Sequence, residues 1–176
     1  MTTQYERLTD DQWEVIKEYL PLKRKRQLDL REVFNAILWI TRTGAQWRNL
    51  DSSFPKWTAV YYYFYRWSRQ GRIERINLAL NELERMSLER NAYPSLGIVD
   101  SQSIKLAPMI YEYRGIDGNK KVNGRKRQLL TDTLGRIWKA CSHPANEHDS
   151  PAGLSLLKLE AVYLKQLEKI VGDKAY

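Results

Sequence analysis

Cysteine is almost absent: Cys141 is the one thiol in 176 residues. A single cysteine forms no internal disulfide and no cysteine-based zinc site, and it suits a reducing cytosol. Histidine is nearly as scarce. His143 and His148, with Asp149, fall in CSHPANEHDS, at a spacing that fits no metal-binding motif. Ser101 and Ser103 have no histidine at a recognisable triad position, which excludes an ordinary serine hydrolase. No apolar run approaches the roughly 20 residues that span a bilayer. The opening MTTQYERLTDDQW lacks the basic-then-apolar layout of a signal peptide. The chain therefore reads as having no membrane partner. It carries no internal repeat and no low-complexity tail.

What is abundant is positive charge and aromatic surface. Twenty-nine Lys and Arg face 21 Asp and Glu, a formal net charge of +8, alongside six Trp and eleven Tyr. An excess of this size favours a polyanionic partner, because neutralising phosphates releases counterions. At 43% hydrophobic and 28% charged, the chain has enough apolar residues for a real core.

The first half reads as helices. Thr9-Asp10-Asp11-Gln12 has the form of a capping box, so a helix begins at Asp10, with Trp13, Ile16 and Leu20 on its apolar face. Asp29 caps a second helix carrying Leu30, Val33, Phe34, Ile37 and Leu38, and Gly44 stops it. A third starts near Pro55, with Trp57, Tyr61, Phe64 and Ser68 on one face and Val60 and Trp67 beside it. Tyr61 and Phe64 are expected in the core; Tyr62, Tyr65, Arg66 and Arg69 are expected outside. A fourth helix, residues 73–90, points Ile76, Leu80 and Leu83 inward.

Tyr93-Pro94 breaks that pattern. SLGIVDSQSI reads as a strand, and QLLTDTLGRIWKACSH as two strands around a turn near Asp132, Leu134 and Gly135. Ser150 and Pro151 open a helix, and Lys169-Ile170-Val171-Gly172-Asp173 looks like a short buried strand. The expected class is α+β: an all-helical module over 1–92, for which helix-turn-helix geometry is one ordinary use, then strand, strand, strand, helix, strand over 93–176.

Two aspartates stand at matching places. Asp100 follows Gly97-Ile98-Val99, and Asp173 follows Ile170-Val171-Gly172. If both strands are parallel and adjacent, both carboxylates emerge at one edge of the sheet. The intervening chain is long enough for the crossover that parallel pairing needs. Paired carboxylates are costly without a cation between them, and their hard oxygens suit Mg²⁺ or Mn²⁺. The plainer alternative is that each aspartate closes a turn.

Basic residues lie near these acids. Residues 111–127 hold six basic side chains against two acidic ones and, with three glycines and two asparagines, read as a loop. Lys105, Lys120, Lys121, Arg125, Lys126 and Arg127 are candidate contacts to DNA phosphates. In the helical half the candidates are Lys23, Arg24, Lys25, Arg26, Arg66 and Arg69.

Taken together, GIVDSQSIK, GNKKVNGRKRQLLTDTLGRI and GDKAY resemble the IS5 group of bacterial insertion-sequence transposases, within the DDE transposases. LTDDQWEVIKEYLP and GAQWRNLDSSFPKWTAVYYYFYRWSRQGRIERI are similar to the helical N-terminal region of the same proteins. The resemblance implies an RNase H-like fold for the C-terminal part, of which the expected strands form an incomplete portion. It places the family's first catalytic acid on Asp100. The second falls on Asp173, with Tyr176 as the aromatic of its D-x-x-Y context; both acids would be ligands to Mg²⁺ or Mn²⁺. It implies double-stranded DNA as partner, as transposon terminal inverted repeats and as target, and a homo-oligomer in the working complex. The expected place is the bacterial cytoplasm, associated with the nucleoid.

The family's third acid is a glutamate in a later Tyr…Arg…Glu…Lys helix, for which these 176 residues hold no position. The expectation is a C-terminally truncated chain that holds metal weakly and does not cleave or join DNA alone. Two alternatives stand beside this reading. One is a catalytically inactive binder or repressor of the full transposase. The other is a general RNase H-type nuclease.

Overall fold

The computed structural model describes residues 5–22, 27–157 and 166–173. Lys23, Arg24, Lys25, Arg26 and Tyr176 therefore lie outside the described residues.

The capping box forms as the sequence requires. Thr9 Oγ accepts the Gln12 backbone N–H, Gln12 Oε1 accepts the Thr9 N–H, and α1 runs Asp10–Lys17. Asp29 accepts the Arg31 N–H and starts α2, Leu30–Thr43, which ends at Gly44 with φ of 66°. That left-handed position is one that a side chain would strain. A short 3-10 turn at Trp47–Asn49 leads to α3, Trp57–Arg69, and then α4, Arg72–Ser87.

The chain divides into two compact units, residues 1–76 and 77–176, so the packing division falls inside α4. The change from helical to strand patterning at 92/93 lies further along. In the first unit the core is Ile16 and Leu20, Val33, Phe34, Ala36 and Ile37 of α2, Val60 and Trp67 of α3, and Ile76. Asn35, fully buried, accepts the Leu8 N–H on its side chain and the Tyr5 hydroxyl on its carbonyl. This ties the leading segment to α2. On α3 the core-facing stripe is Val60, Phe64 and Trp67, of which Val60 and Trp67 are buried and Phe64 is partly buried, with Tyr63 beside it; Tyr61 is 42% exposed, contrary to expectation. One residue is about 100° of helix, and that turn carries position 61 off the stripe to the edge of Trp47.

The second unit is built on one curled, mixed sheet. Its strands are β1 Leu96–Lys105, β2 Gly115–Asp117, β3 Val122–Thr131, β4 Ile137–Pro144 and β5 Lys169–Val171, with α5 at Asp149–Leu157 before β5. β3 pairs antiparallel with β1, β2 and β4, while β5 pairs parallel with β1. The α+β class holds. Two expectations do not. Residues 115–117 and 122–127, read as loop, are strands, because Gly118 and Asn119 serve a tight hairpin turn while Asn123 and Gly124 pair in the ladder with Ile116 and Gly115. β5, expected to be buried, is exposed along its length, because among the described residues it pairs with β1 alone.

The core of this unit is Val99, Leu130, Trp138 and Leu156. The second half of α4 also belongs to it, but with a polar face. Asn77 and Asn81 both donate to the Ile137 carbonyl at 2.8 Å, and Arg85 Nη1 lies 2.8 Å from Asp132 Oδ2. Leu80 and Leu83 are consequently turned outward, which corrects their expected inward position. Asp132 also accepts the N–H groups of Leu134 and Arg136 and the Trp138 indole, so the turn after β3 is organised around one carboxylate. Burial pushes this carboxyl up. The hydrogen bonds from Arg136, Arg85, Trp138 and Leu134 outweigh burial and hold it below its ordinary range.

Arg85 and Asp132 are both buried, so removing one leaves the other as an uncompensated charge. Asp132→Asn and Arg85→Ala are each expected to cost the second unit about 3–5 kcal/mol. Urea unfolding followed by Trp138 fluorescence measures this; a loss below about 1 kcal/mol contradicts the assigned role.

Candidate functional site

The sequence pattern puts both acids at strand ends; in the structure Asp100 lies inside β1, which runs on to Lys105, and Asp173 follows β5, which pairs parallel with β1. The register of that pairing is Leu96↔Lys169, Gly97↔Ile170 and Ile98↔Val171. Asp100 and Asp173 each lie two residues beyond Ile98 and Val171, past the last paired position, and Asp173 follows the end of β5. Both residues are exposed. Asp100 Oδ1 accepts the Ser101 N–H at 2.7 Å, which steadies the carboxylate against its own strand.

β1 alternates cleanly. Gly97 and Val99 face the core, and Ile98, Asp100, Gln102 and Ile104 face out. Across the β1–β3 ladder, Asp100 opposes Leu129, Gln102 opposes Arg127 and Ile104 opposes Arg125. Directly opposed residues share a face. Arg127 donates to the Gln102 amide oxygen, so a cation is fixed on the face that carries Asp100. Behind the strands, a cavity of about 430 Å³ lies between β1, β5 and α5, lined by Val99, Ile170, Gly172, Ser150, Leu154 and Asp173 among others.

Lys120 comes to the same strand from the β2–β3 turn, with Nζ 3.3 Å from the Ser101 carbonyl. Asp117 holds that turn in shape. Its carboxylate accepts the Asn119 and Lys120 N–H groups at 2.9 and 3.1 Å, and Ser103 Oγ donates to it at 2.5 Å. Asp117 was not singled out from the sequence, although Asp117-Gly118-Asn119 is an ordinary signal for an Asx turn.

The remaining candidate cations divide by burial. Lys105, Lys121 and Arg127 are exposed. Arg125 is half-buried, with Nη2 2.7 Å from the Glu112 carbonyl. Lys126 is a correction. It is buried, with Nζ 3.2 Å from Asp149 and 3.7 Å from Asp117, and it donates to the Glu147 carbonyl. It serves the fold rather than a phosphate, because strand alternation turns it to the opposite face from Arg125 and Arg127. In the first unit, Arg66 and Arg69 are exposed and donate to the hydroxyls of Tyr62 and Tyr65 at 3.1 and 3.4 Å.

The two carboxylates suit Mg²⁺ or Mn²⁺ in kind, being hard oxygen donors open to solvent. The donor set is small in number. Among the described residues no group of three or more His, Cys, Asp or Glu side chains is gathered, so water or phosphate oxygens would complete a coordination sphere. His143 is held otherwise, with Nε2 3.3 Å from the Gln128 amide and Nδ1 3.5 Å from Glu147. Burial pushes the Cys141 thiol up, away from a nucleophile's range. No described helix is long and apolar enough to cross a membrane.

The Asp117 carboxyl is held at about 2, first by the Ser103 hydroxyl, then by the Lys120 N–H, with burial opposing and the Asn119 N–H and Lys126 charge adding. Its ordinary value is about 3.9. A depressed folded value contributes stability above the unfolded value, lost as pH falls through the folded one. Between about pH 4 and pH 2, wild type is expected to lose more stability than Asp117→Asn, measured by thermal unfolding. Parallel losses in the two proteins contradict this.

Residues 8–77 match a family model for transposases of the IS4/5 family, DUF4096, and residues 92–176 match the transposase DDE domain model. A curated relative, the "Uncharacterized protein y4sN" of Sinorhizobium fredii, is 37% identical over 68 residues, covering 36% of this chain. The matched stretch spans 54% of that relative's length. No solved structure matches. Both halves of the sequence point one way, and the chain belongs to the DDE transposases of the IS4/IS5 type.

Proposed function

We propose that this chain binds transposon-end DNA and contributes two metal-ligating carboxylates, Asp100 and Asp173, to DNA strand cleavage and transfer. The observation that supports the reading is the parallel β1–β5 register, which would bring those two acids together if it carried on two residues past Ile98↔Val171. On this reading the second unit is the core of an RNase H-like domain. A divalent ion bound there would steady charge on the attacking and leaving oxygens of a phosphodiester.

The chain's own residues have separate tasks. Asp100 and Asp173 orient the ion. Arg127, held by Gln102 on the face of Asp100, and Lys120, held near Ser101, supply positive charge for a DNA backbone. The exposed Arg66 and Arg69 of the first unit belong to a helical module that contacts transposon ends. Metal held by two carboxylates alone is weakly held, so phosphate oxygens of bound DNA would raise its occupancy. Reciprocally, metal would tighten DNA binding, because the two share ligands.

A binding protein without catalysis is the second reading. It is favoured by the gathering of fewer than three candidate ligands among the described residues. The two readings differ in what metal does.

Mn²⁺ binding to the full chain, followed by electron paramagnetic resonance of the free ion, tests the leading reading. Asp100→Asn and Asp173→Asn are each expected to weaken binding by roughly tenfold or more, with folding unchanged because both side chains are exposed. Equal Mn²⁺ affinity in wild type and both variants contradicts the metal site and leaves the pure binder.

A further inference from the structure

Residues 106–114, which join β1 to β2, present unusual side chains to water. Met109 and Tyr111 are each 78% exposed and Tyr113 is 74% exposed. Large apolar groups this bare, gathered in one short loop, mark a surface that meets a partner. The backbone beneath them is held firmly. Arg114 donates to the Pro108 carbonyl at 3.2 Å and to the Asn123 side chain at 2.5 Å. Arg125 donates to the Glu112 carbonyl, and the Ile110 N–H bonds the Ala107 carbonyl. Two guanidiniums thus clamp the loop from within while its rings point outward. Tyr113 sits at φ of 51°, a left-handed conformation rare for an aromatic residue. Such strain is kept where surrounding contacts impose it, and it concentrates at functional sites.

The chemistry of the surroundings selects the partner. Lys105, Lys120, Lys121 and Arg127 are exposed, whereas the acids between 105 and 127 are Glu112 and the buried Asp117. The face of the sheet that carries Asp100 continues through Gln102 and Arg127 to Arg125, whose guanidinium lies 5.9 Å from the Tyr113 ring. From Asp100 to the end of β1 is five residues, about 17 Å of strand. That is about five base steps at 3.4 Å each. Exposed rings interleaved with cations are what nucleic-acid bases with accessible faces require. Bases inside a duplex already stack on their neighbours and offer no free face.

We infer that this loop is a base-stacking platform, with Tyr111 and Tyr113 as its rings, for a single-stranded or frayed stretch of the DNA engaged at Asp100 and Asp173. The inference rests on the DNA-binding function proposed above and names the form of DNA that the loop takes. Arg125 and Arg127 follow the sugar-phosphate backbone between the acids and the rings.

The test is fluorescence anisotropy of the full chain with a labelled 20-nucleotide oligo-dT strand and with a duplex of equal length, across a salt series. Tyr111→Ala with Tyr113→Ala is expected to weaken single-strand binding by roughly tenfold or more. Duplex affinity and the salt slope should stay nearly unchanged, and Tyr111→Phe with Tyr113→Phe should keep wild-type affinity, since stacking needs the ring and not the hydroxyl. Unchanged single-strand binding in the alanine variant overturns the platform. Equal weakening on both DNAs with a shallower salt slope also overturns it, as a phosphate contact. A changed oligomeric state with unchanged DNA affinity overturns it in favour of a surface for a second copy of the chain. Metal-free buffer throughout serves as the separating control: no metal site contributes there, so a loss of oligo-dT binding in the alanine variant reports the platform alone, whereas a loss seen only with Mn²⁺ present reports the metal site.

Discussion

The parallel pairing of β5 with β1 is the constraint on which the account of this protein turns. β1 is committed on its other edge, through eight paired positions from Ile98 to Lys105 against β3. Its inner face packs Val99 against Leu130, Trp138 and Leu156. Among the described residues, β1 is paired on the β5 side at its N-terminal end, Leu96 to Ile98. A slip of one residue there would turn Asp173 to the opposite face from Asp100, because side chains alternate with a period of two. On the proposed reading, the adjacency of the two acids depends on these backbone pairs carrying on in register and on the packing that holds β1 in place.

Four aspartates lie in or beside the strands and turns of this unit, Asp100 within β1 itself, and their surroundings sort them. Asp132 is buried with an arginine, an indole and two backbone N–H groups. Asp117 is buried with a serine hydroxyl, two backbone N–H groups and a lysine nearby. Each is consumed by its turn. Asp100 and Asp173 are exposed, and Asp100 takes one backbone N–H from its own neighbour. Exposure leaves both carboxylates open to solvent, which is why these two and not the buried pair carry the proposed reading. A similar sorting separates Lys126, buried between Asp117 and Asp149, from the exposed Lys120 and Arg127.

Local signals were legible in the sequence where the chemistry is local. The Thr9 capping box, the Asp29 cap and the Gly44 stop each depend on residues within one turn, and each forms as read. The tight turn at Asp132 and the strand before Asp100 were equally plain. Long-range packing was not. Leu80 and Leu83 follow helical spacing, yet the neighbouring face with Asn77, Asn81 and Arg85 packs inward, because Ile137 offers a carbonyl and Asp132 a buried charge. No pattern within α4 announces a partner about 50 residues away. Lys126 misled for the same reason: in a run of basic residues, strand alternation buries every second one. The aromatic loop at 109–113 escaped notice because exposure of Tyr111 and Tyr113 depends on the clamp by Arg114 and Arg125, and not on the tyrosines themselves.

The most direct test is of the juxtaposition itself. Cysteines at positions 100 and 173, in a Cys141→Ser background, would have backbones about 4.8 Å apart if the β1–β5 register carries on past Ile98 and Val171. That separation lies within the range that a disulfide bridges. The measurement is mild oxidation followed by peptide mass spectrometry. The account predicts a dominant intramolecular bond linking the peptide around position 100 to the peptide around position 173. A register shifted by one residue would put the two thiols on opposite faces, and their failure to form that bond, while the protein remains folded, would contradict the central claim.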